Sequence, residues 1–297
     1  MLRSLCIALF LVPVLSSMGQ SGFNRYYTLD SSVAGFINGI ANGDTVQIIG
    51  GMTSAEFPGL QGIVFIKADT NGNILHLFPY FDIDQHTLAF SESADVVRLT
   101  NGNLATCGSY FSEPSLFLAI YHGQADSVYF RKMPLTGVTS IGSYDMVSYK
   151  DGFLIQGVIV NTQNRFQSLL LHTDIEGNII WEGRYNLPGL DENSRCMKVL
   201  DDNTIVVGAV SGIFFGAAPW NRSRIFAVDS LGVLKWEWQS EEGYGLISAI
   251  EKLENGDWLF LQKKNVYPAP DSILAYNQLV RCDSNFNLLW EQRLSPT

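Results

Sequence analysis

The chain has 297 residues, 29 of them acidic and 19 basic, for a formal net charge of −10. Binding to nucleic-acid phosphate needs clustered Lys and Arg, so this balance excludes a nucleic-acid partner. A hydrophobic fraction of 46% over this length supports a large packed core.

The N-terminus reads as a leader. Met1-Leu2-Arg3 is a short basic start, and Leu5 to Leu15 is an apolar stretch too short to span a bilayer. Small residues at Ser17 and Gly19 predict cleavage before Gln20, so residues 1–19 are a signal peptide. No second apolar span comes after it, so no transmembrane segment is expected. The expected location is outside the cytoplasm, secreted or at the cell surface, with the periplasm as the alternative.

From residue 20 onward a short phrase recurs. It reads Asp69-Thr-Asn-Gly72-Asn-Ile-Leu-His76, Asp174-Ile-Glu-Gly177-Asn-Ile-Ile-Trp181, Asp229-Ser-Leu-Gly232-Val-Leu-Lys-Trp236 and Asp283-Ser-Asn-Phe286-Asn-Leu-Leu-Trp290. A degenerate copy from Gly123 to Phe130 fills the gap, so the spacing stays between 51 and 55 residues. A period of that size means stacked or radial supersecondary units. A second phrase keeps the same period: Asn42-Gly43, Asn101-Gly102, Asp151-Gly152, Asp202-Asn203 and Asn255-Gly256 each separate two apolar runs. Asn-Gly and Asp-Gly there predict type I′ hairpins, which need positive φ at both central residues. Four of the apolar runs after these turns then meet a glycine, Gly50, Gly108, Gly157 or Gly208.

Each unit therefore reads as strand a, tight turn, strand b, loop, strand c, Asp-x-x-Gly-Asn turn, strand d. Helical periodicity is nearly absent. The fold class is all-β: a β-propeller of about five four-stranded blades in one domain over residues 20–297. The units run over about 30–80, 81–134, 135–187, 188–240 and 241–294. The structural positions of the repeat are Asp69, Asp174, Asp229 and Asp283 as turn formers, and Trp181, Trp236 and Trp290 packing on the neighbouring blade. Phe23 to Leu29 has the character of an additional strand d, one outer strand too many for closure. The ring then either closes as five blades with a redundant edge or is an incomplete part of a larger propeller, and the strand count favours the second.

The strand–Asp-x-x-Gly-Asn-x-x-Trp phrase, coupled to strand–Asn/Asp-Gly–strand–Gly, resembles secreted repeat propellers that use the type IX route of Gram-negative bacteria. It is similar, more distantly, to quinoprotein-like propellers. The resemblance covers nearly all of residues 23–294 and implies fold and export. It implies no ligand, and no residue matches a quinone-cofactor site.

Chemistry is sparse. Cys6 leaves with the leader, and Cys107, Cys196 and Cys282 fall in different blades and strand positions, so three buried thiols are expected. Asp69-Thr-Asn71-Gly-Asn73 has alternating oxygen ligands, but Gly72 and Tyr80 stand where a calcium loop of the EF-hand type needs other spacing and a bidentate Glu. No metal or cofactor site is expected. Non-repeated acids near the starts of strand a are Asp84, Glu92, Asp145, Asp191, Glu192 and Glu242, none within a catalytic motif. His76 occupies the aromatic register, and His172 aligns with Lys67 and Arg281, so both read as structural.

The b–c and d–a connections vary, and two are long: Ser211 to Asn221 and Lys263 to Asp271. Variable loops on a rigid scaffold are where binding resides. Phe214, Phe215, Trp220 and Tyr267 are the candidate contacts for a protein or glycan ligand. The expectation is an exported, non-enzymatic binding module. The alternatives are a carbohydrate-active propeller enzyme with carboxylates in the axial funnel, and a periplasmic scaffold for outer-membrane assembly.

Overall fold

The computed structural model describes residues 28–29, 32–53, 60–82, 87–89, 96–111, 113–123, 127–213, 221–241, 243–269 and 272–294. The expected leader lies outside these residues, as do Phe214, Phe215, Trp220, Asp84, Glu92 and Glu242.

The chain is a five-bladed, all-β propeller built of five antiparallel sheets. The first holds β1 (Thr28–Leu29), β2 (Ser32–Asn42), β3 (Thr45–Thr53), β4 (Gln61–Asp69) and β5 (Ile74–Tyr80), in that order. In the second, β6 (Leu88–Ala89) and β7 (Val96–Arg98) both pair with β8 (Leu104–Tyr110), next to β9 (Ser115–His122) and β10 (Ser127–Pro134). The third holds β11 (Val138–Tyr149), β12 (Gly152–Asn161), β13 (Phe166–Asp174) and β14 (Ile179–Tyr185). The fourth holds β15 (Asp191–Val199), β16 (Ile205–Gly212), β17 (Arg222–Val228) and β18 (Leu234–Gln239). The fifth holds β19 (Tyr244–Lys252), β20 (Trp258–Ala269), β21 (Ser272–Cys282) and β22 (Leu288–Arg293).

Two readings of local structure change. Thr28–Leu29 pairs with β2, so the described end of the Phe23–Leu29 segment belongs to the first sheet. The stretch from Lys263, read as a loop, continues β20 to Ala269 and pairs with β21, so this connection is a long hairpin. Tyr267 lies on that strand, and its side chain is outside the described set.

The hairpins differ in type as well. Each a–b turn has one residue at positive φ, and three of them, at Gly102 (84°), Asn203 (61°) and Gly256 (88°), share one form. Each closes with paired backbone bonds, as in Gly102 N–H to Leu99 O at 2.9 Å and Leu99 N–H to Asn103 O at 2.9 Å. That is a three-residue loop, a type I turn and then one left-handed residue, which needs one permissive residue rather than two. The Asp-x-x-Gly turns have the same form: Gly72 N–H reaches Asp69 O at 3.0 Å, and Asp69 N–H reaches Asn73 O at 3.0 Å. Each Asp carboxylate fixes its loop. Asp69 Oδ1 accepts from Asn71 N–H at 2.9 Å and Asn73 N–H at 2.8 Å, and Asp174, Asp229 and Asp283 repeat the pattern.

The recurrent glycine of strand b has a packing cause. The innermost strands β2, β11, β15 and β19 each shift register by one residue at an equivalent place. Gly157 and Gly208 lie opposite that bulge, where a Cβ would collide with Gly142 O or stand 2.7 Å from Cys196 Sγ. The fifth blade carries buried Gln262 at this register.

The core is divided among the blade junctions. Ile49, Ile63 and Phe65 meet Leu104, Phe117 and Ala119 between blades one and two. Leu116, Leu118, Phe153 and Leu169 fill the next junction, and Leu154 and Leu170 meet Val207 and Phe226 between blades three and four. Val206 and Ile225 meet Ile247, Trp258 and Phe260 between blades four and five. Among the described residues no helix is long and apolar enough to cross a membrane.

Candidate functional site

Of the acids singled out from sequence that fall within the described residues, Asp145 and Asp191 join blades three and four, and Glu192 is paired within blade four. Asp145 accepts from Met197 N–H at 3.0 Å, joining the inner strands of blades three and four. Buried Asp191 accepts from Phe166 N–H at 3.1 Å and faces Arg165 Nε at 3.3 Å. Glu192 is fully buried in an ion pair with Arg224 and accepts from Ser211 Oγ at 2.9 Å. Burial pushes its pKa up against the opposing pull of Arg224 and Ser211. Arg224 also reaches Glu237 at 2.6 Å. All three acids hold buried structure.

His172 takes the structural place expected of it. It packs edge-on to Tyr149 at 5.0 Å and against Trp181 at 5.9 Å. Burial, and after it the Lys150 charge, holds its pKa down. Cys107, Cys196 and Cys282 are buried, with burial raising Cys196 to about 12 and Cys282 to about 11. Cys196 and Cys282 are therefore inert thiols at neutral pH.

The repeated tryptophans divide. Trp181 donates its indole N–H to Ser230 O of the next blade at 3.2 Å. Trp236 packs on Trp258 and Phe286 of the next blade. Trp290, on the last strand, is 38% exposed and departs from the expected burial, because no further blade among the described residues covers it.

A groove forms elsewhere, on the face that carries the a–b and c–d turns. Its inner part, about 600 Å³, lies between the ends of β15 and β19 and carries Asp201, Asp202, Glu251, Glu254, Lys198 and Lys252. Its outer part, about 400 Å³, is walled by Trp236, Trp238, Trp258 and Phe286. The two share Leu200, Asp202 and Lys252, so they adjoin along the junction of blades four and five. Lys198 Nζ lies 2.7 Å from Glu251. Lys235 donates to Thr204 Oγ1 at 2.7 Å and stands 3.8 Å from Asp202. The backbone N–H of Thr204, then its hydroxyl, hold Asp202 below its ordinary pKa. Asp201 and Glu254 have no ion-pair partner among the described residues.

The aromatic wall depends on one exchange in the repeat. Phe286 stands where the sister turns have Gly72, Gly177 and Gly232, and it keeps their left-handed backbone at φ 62°. Its ring lies between Trp258 at 5.4 Å and Trp238 at 5.5 Å, nearly parallel to both. Sequence reasoning missed this groove because Asp202 and Glu254 sit in turns, where acids read as turn formers. The available signal was the break of the glycine register at Phe286.

No protein-family model matches the sequence, and no curated protein matches it. Solved structures do match in fold. The polysaccharide lyase Uly1 superposes with a TM-score of 0.54 at 8% identity, over 91% of this chain and 74% of the lyase. A europium-containing methanol dehydrogenase gives 0.48 at 10% identity, over 92% of this chain and 75% of that one. The exo-β-1,3-galactanase of Clostridium thermocellum gives 0.46 at 11% identity, over 84% of this chain and 59% of that one. This corrects one expectation. The absence of a sequence motif argued for a non-enzymatic module, whereas the neighbour that superposes above a TM-score of 0.5 is a polysaccharide lyase. Propeller active sites are assembled from several blades, so the lack of a contiguous motif does not argue against catalysis.

Proposed function

We propose that this is an exported carbohydrate-active propeller that cleaves a polysaccharide in the groove of blades four and five. The observation that carries the reading is the groove itself: four carboxylates at its inner end and a Trp/Phe wall at its outer end. Aromatic faces stack on the apolar face of a sugar ring, and paired carboxylates perform the acid and base steps of glycoside cleavage. Trp236, Trp238 and Phe286 hold the chain of sugars. Asp201 and Glu254, free of ion partners, are the acid–base candidates, while Asp202 and Lys252 hold the joint between the two halves. The polysaccharide lyase sharing this fold supports the reading.

Incubation with neutral and acidic polysaccharides, monitored for new reducing ends and unsaturated products, tests it. Cleavage is expected for at least one substrate, with turnover reduced about 100-fold in Asp201→Asn or Glu254→Gln. No product from any polysaccharide, or full turnover in both variants, would overturn the proposal.

A further inference from the structure

A second cavity, of about 300 Å³, opens on the same turn face between blades one and two. It occupies the junction position equivalent to the aromatic half of the groove, but its chemistry differs. Its floor is Phe65 stacked on Tyr121 at 4.8 Å, with the His76 ring nearly parallel to Tyr121 at 6.4 Å. Around that floor stand Gln47, Lys67 and Asn101. Among the described residues none that lines it is acidic, although acids outnumber bases 29 to 19 in the chain.

The register explains the opening. Lys67 pairs with His76 across β4 and β5, at the positions that His172 and Trp181 take in the third blade. There Tyr149, His172, Trp181 and Tyr185 fill the junction. Here Lys67 and the smaller His76 ring take the places of His172 and Trp181, and the turn Asn101-Gly102-Asn103 of blade two lines the opening.

The polar groups are oriented for donation. Arg98 Nη2 donates to Gln47 Oε1 at 3.0 Å, so the amide nitrogen of Gln47 remains free to donate. Lys67 is exposed and has no ion pair among the described residues. The nearest acid along the strand, Asp69, turns its carboxylate into its own loop.

We infer that this cavity is a second glycan site, selective for an anionic sugar: a hexuronate whose ring lies on the Tyr121/His76 face and whose carboxylate meets Lys67 Nζ and the Gln47 amide. It takes its glycan class from the function proposed above. Uncompensated cationic and N–H donors over an aromatic floor match a sugar ring bearing a carboxylate.

Isothermal titration of the full chain with trigalacturonate and with neutral galactotriose tests the site. The wild type is expected to bind trigalacturonate about fivefold more tightly than the neutral sugar, and Lys67→Gln to abolish that preference. Glu254→Gln, in the other groove, should retain it. No preference in the wild type, an unchanged preference in Lys67→Gln, or inorganic sulfate displacing trigalacturonate at equal affinity would each overturn the inference. A Lys67-dependent preference in a protein that cleaves no polysaccharide would sink the proposed function and leave this site standing.

Discussion

Phe286 departs most clearly from its repeat. A left-handed backbone costs a residue with a Cβ about 1–2 kcal/mol, which Gly72, Gly177 and Gly232 avoid. In the fourth blade a side chain at this point would also be crowded, since a Cβ on Gly232 would lie 3.0 Å from the Trp181 ring, which would have to shift. In the fifth blade the ring occupies the space between Trp238 and Trp258 and stabilises the junction by burying apolar surface. The two effects can be separated by substitution. Phe286→Gly loses the ring but relieves the backbone, whereas Phe286→Ala loses the ring and keeps the strain. Denaturant melts should therefore find the Ala variant less stable than the Gly variant by about 1 kcal/mol, the reverse of the usual order. An Ala variant more stable than the Gly variant would show that the left-handed conformation is not maintained in solution.

At the scale of the element, the repeat made strand order, turn positions and the aromatic register legible, because each arises from local periodicity and turn chemistry. The features that escaped depend on the neighbouring blade. The hairpin of β20 and β21 was hidden by Pro268 and Pro270, which read as loop although proline is tolerated where a ladder bond is not needed. Burial of the three tryptophans differs for the same reason, since the next blade covers Trp181 and Trp236 and none among the described residues covers Trp290. Trp181→Ala and Trp236→Ala, which remove contacts with the next blade, should each cost about 2–4 kcal/mol. Trp290→Ala should cost under about 1 kcal/mol. Equal losses at all three, measured by chemical denaturation, would mean that Trp290 is covered in solution. The groove was illegible for a related reason: its acids come from the a–b turns of two blades, and only the radial arrangement brings them together.

Across the whole molecule, the blade junctions are largely apolar while the turn face is stitched by exposed carboxylates, and the two respond differently to pH. Asp283 is held below its ordinary pKa first by the Asn287 side chain and then by backbone N–H groups. For Asp229 the Val233 and Leu231 N–H groups do this. Asp257 is lowered chiefly by Arg281, whose guanidinium lies 2.6 Å away. A carboxylate with a depressed folded pKa contributes stability that is fully present above its unfolded value. That contribution is lost as pH falls through the lower folded value. His172, also depressed, contributes in the same sense but in a separate and higher window, beginning below about pH 6.5. Thermal midpoints should therefore fall in two steps on acidification, one below about pH 6.5 and one below about pH 4. Replacing Asp229 and Asp283 with Asn keeps an oxygen acceptor for the turn but removes the titrating charge. The double variant should lose much of the lower step and keep the upper one, whereas His172→Phe should do the opposite. A double variant whose midpoint still falls as steeply as the wild type below pH 4 would mean that acid lability resides in other carboxylates of depressed pKa, such as Asp202 and Asp257, instead of in these two turns.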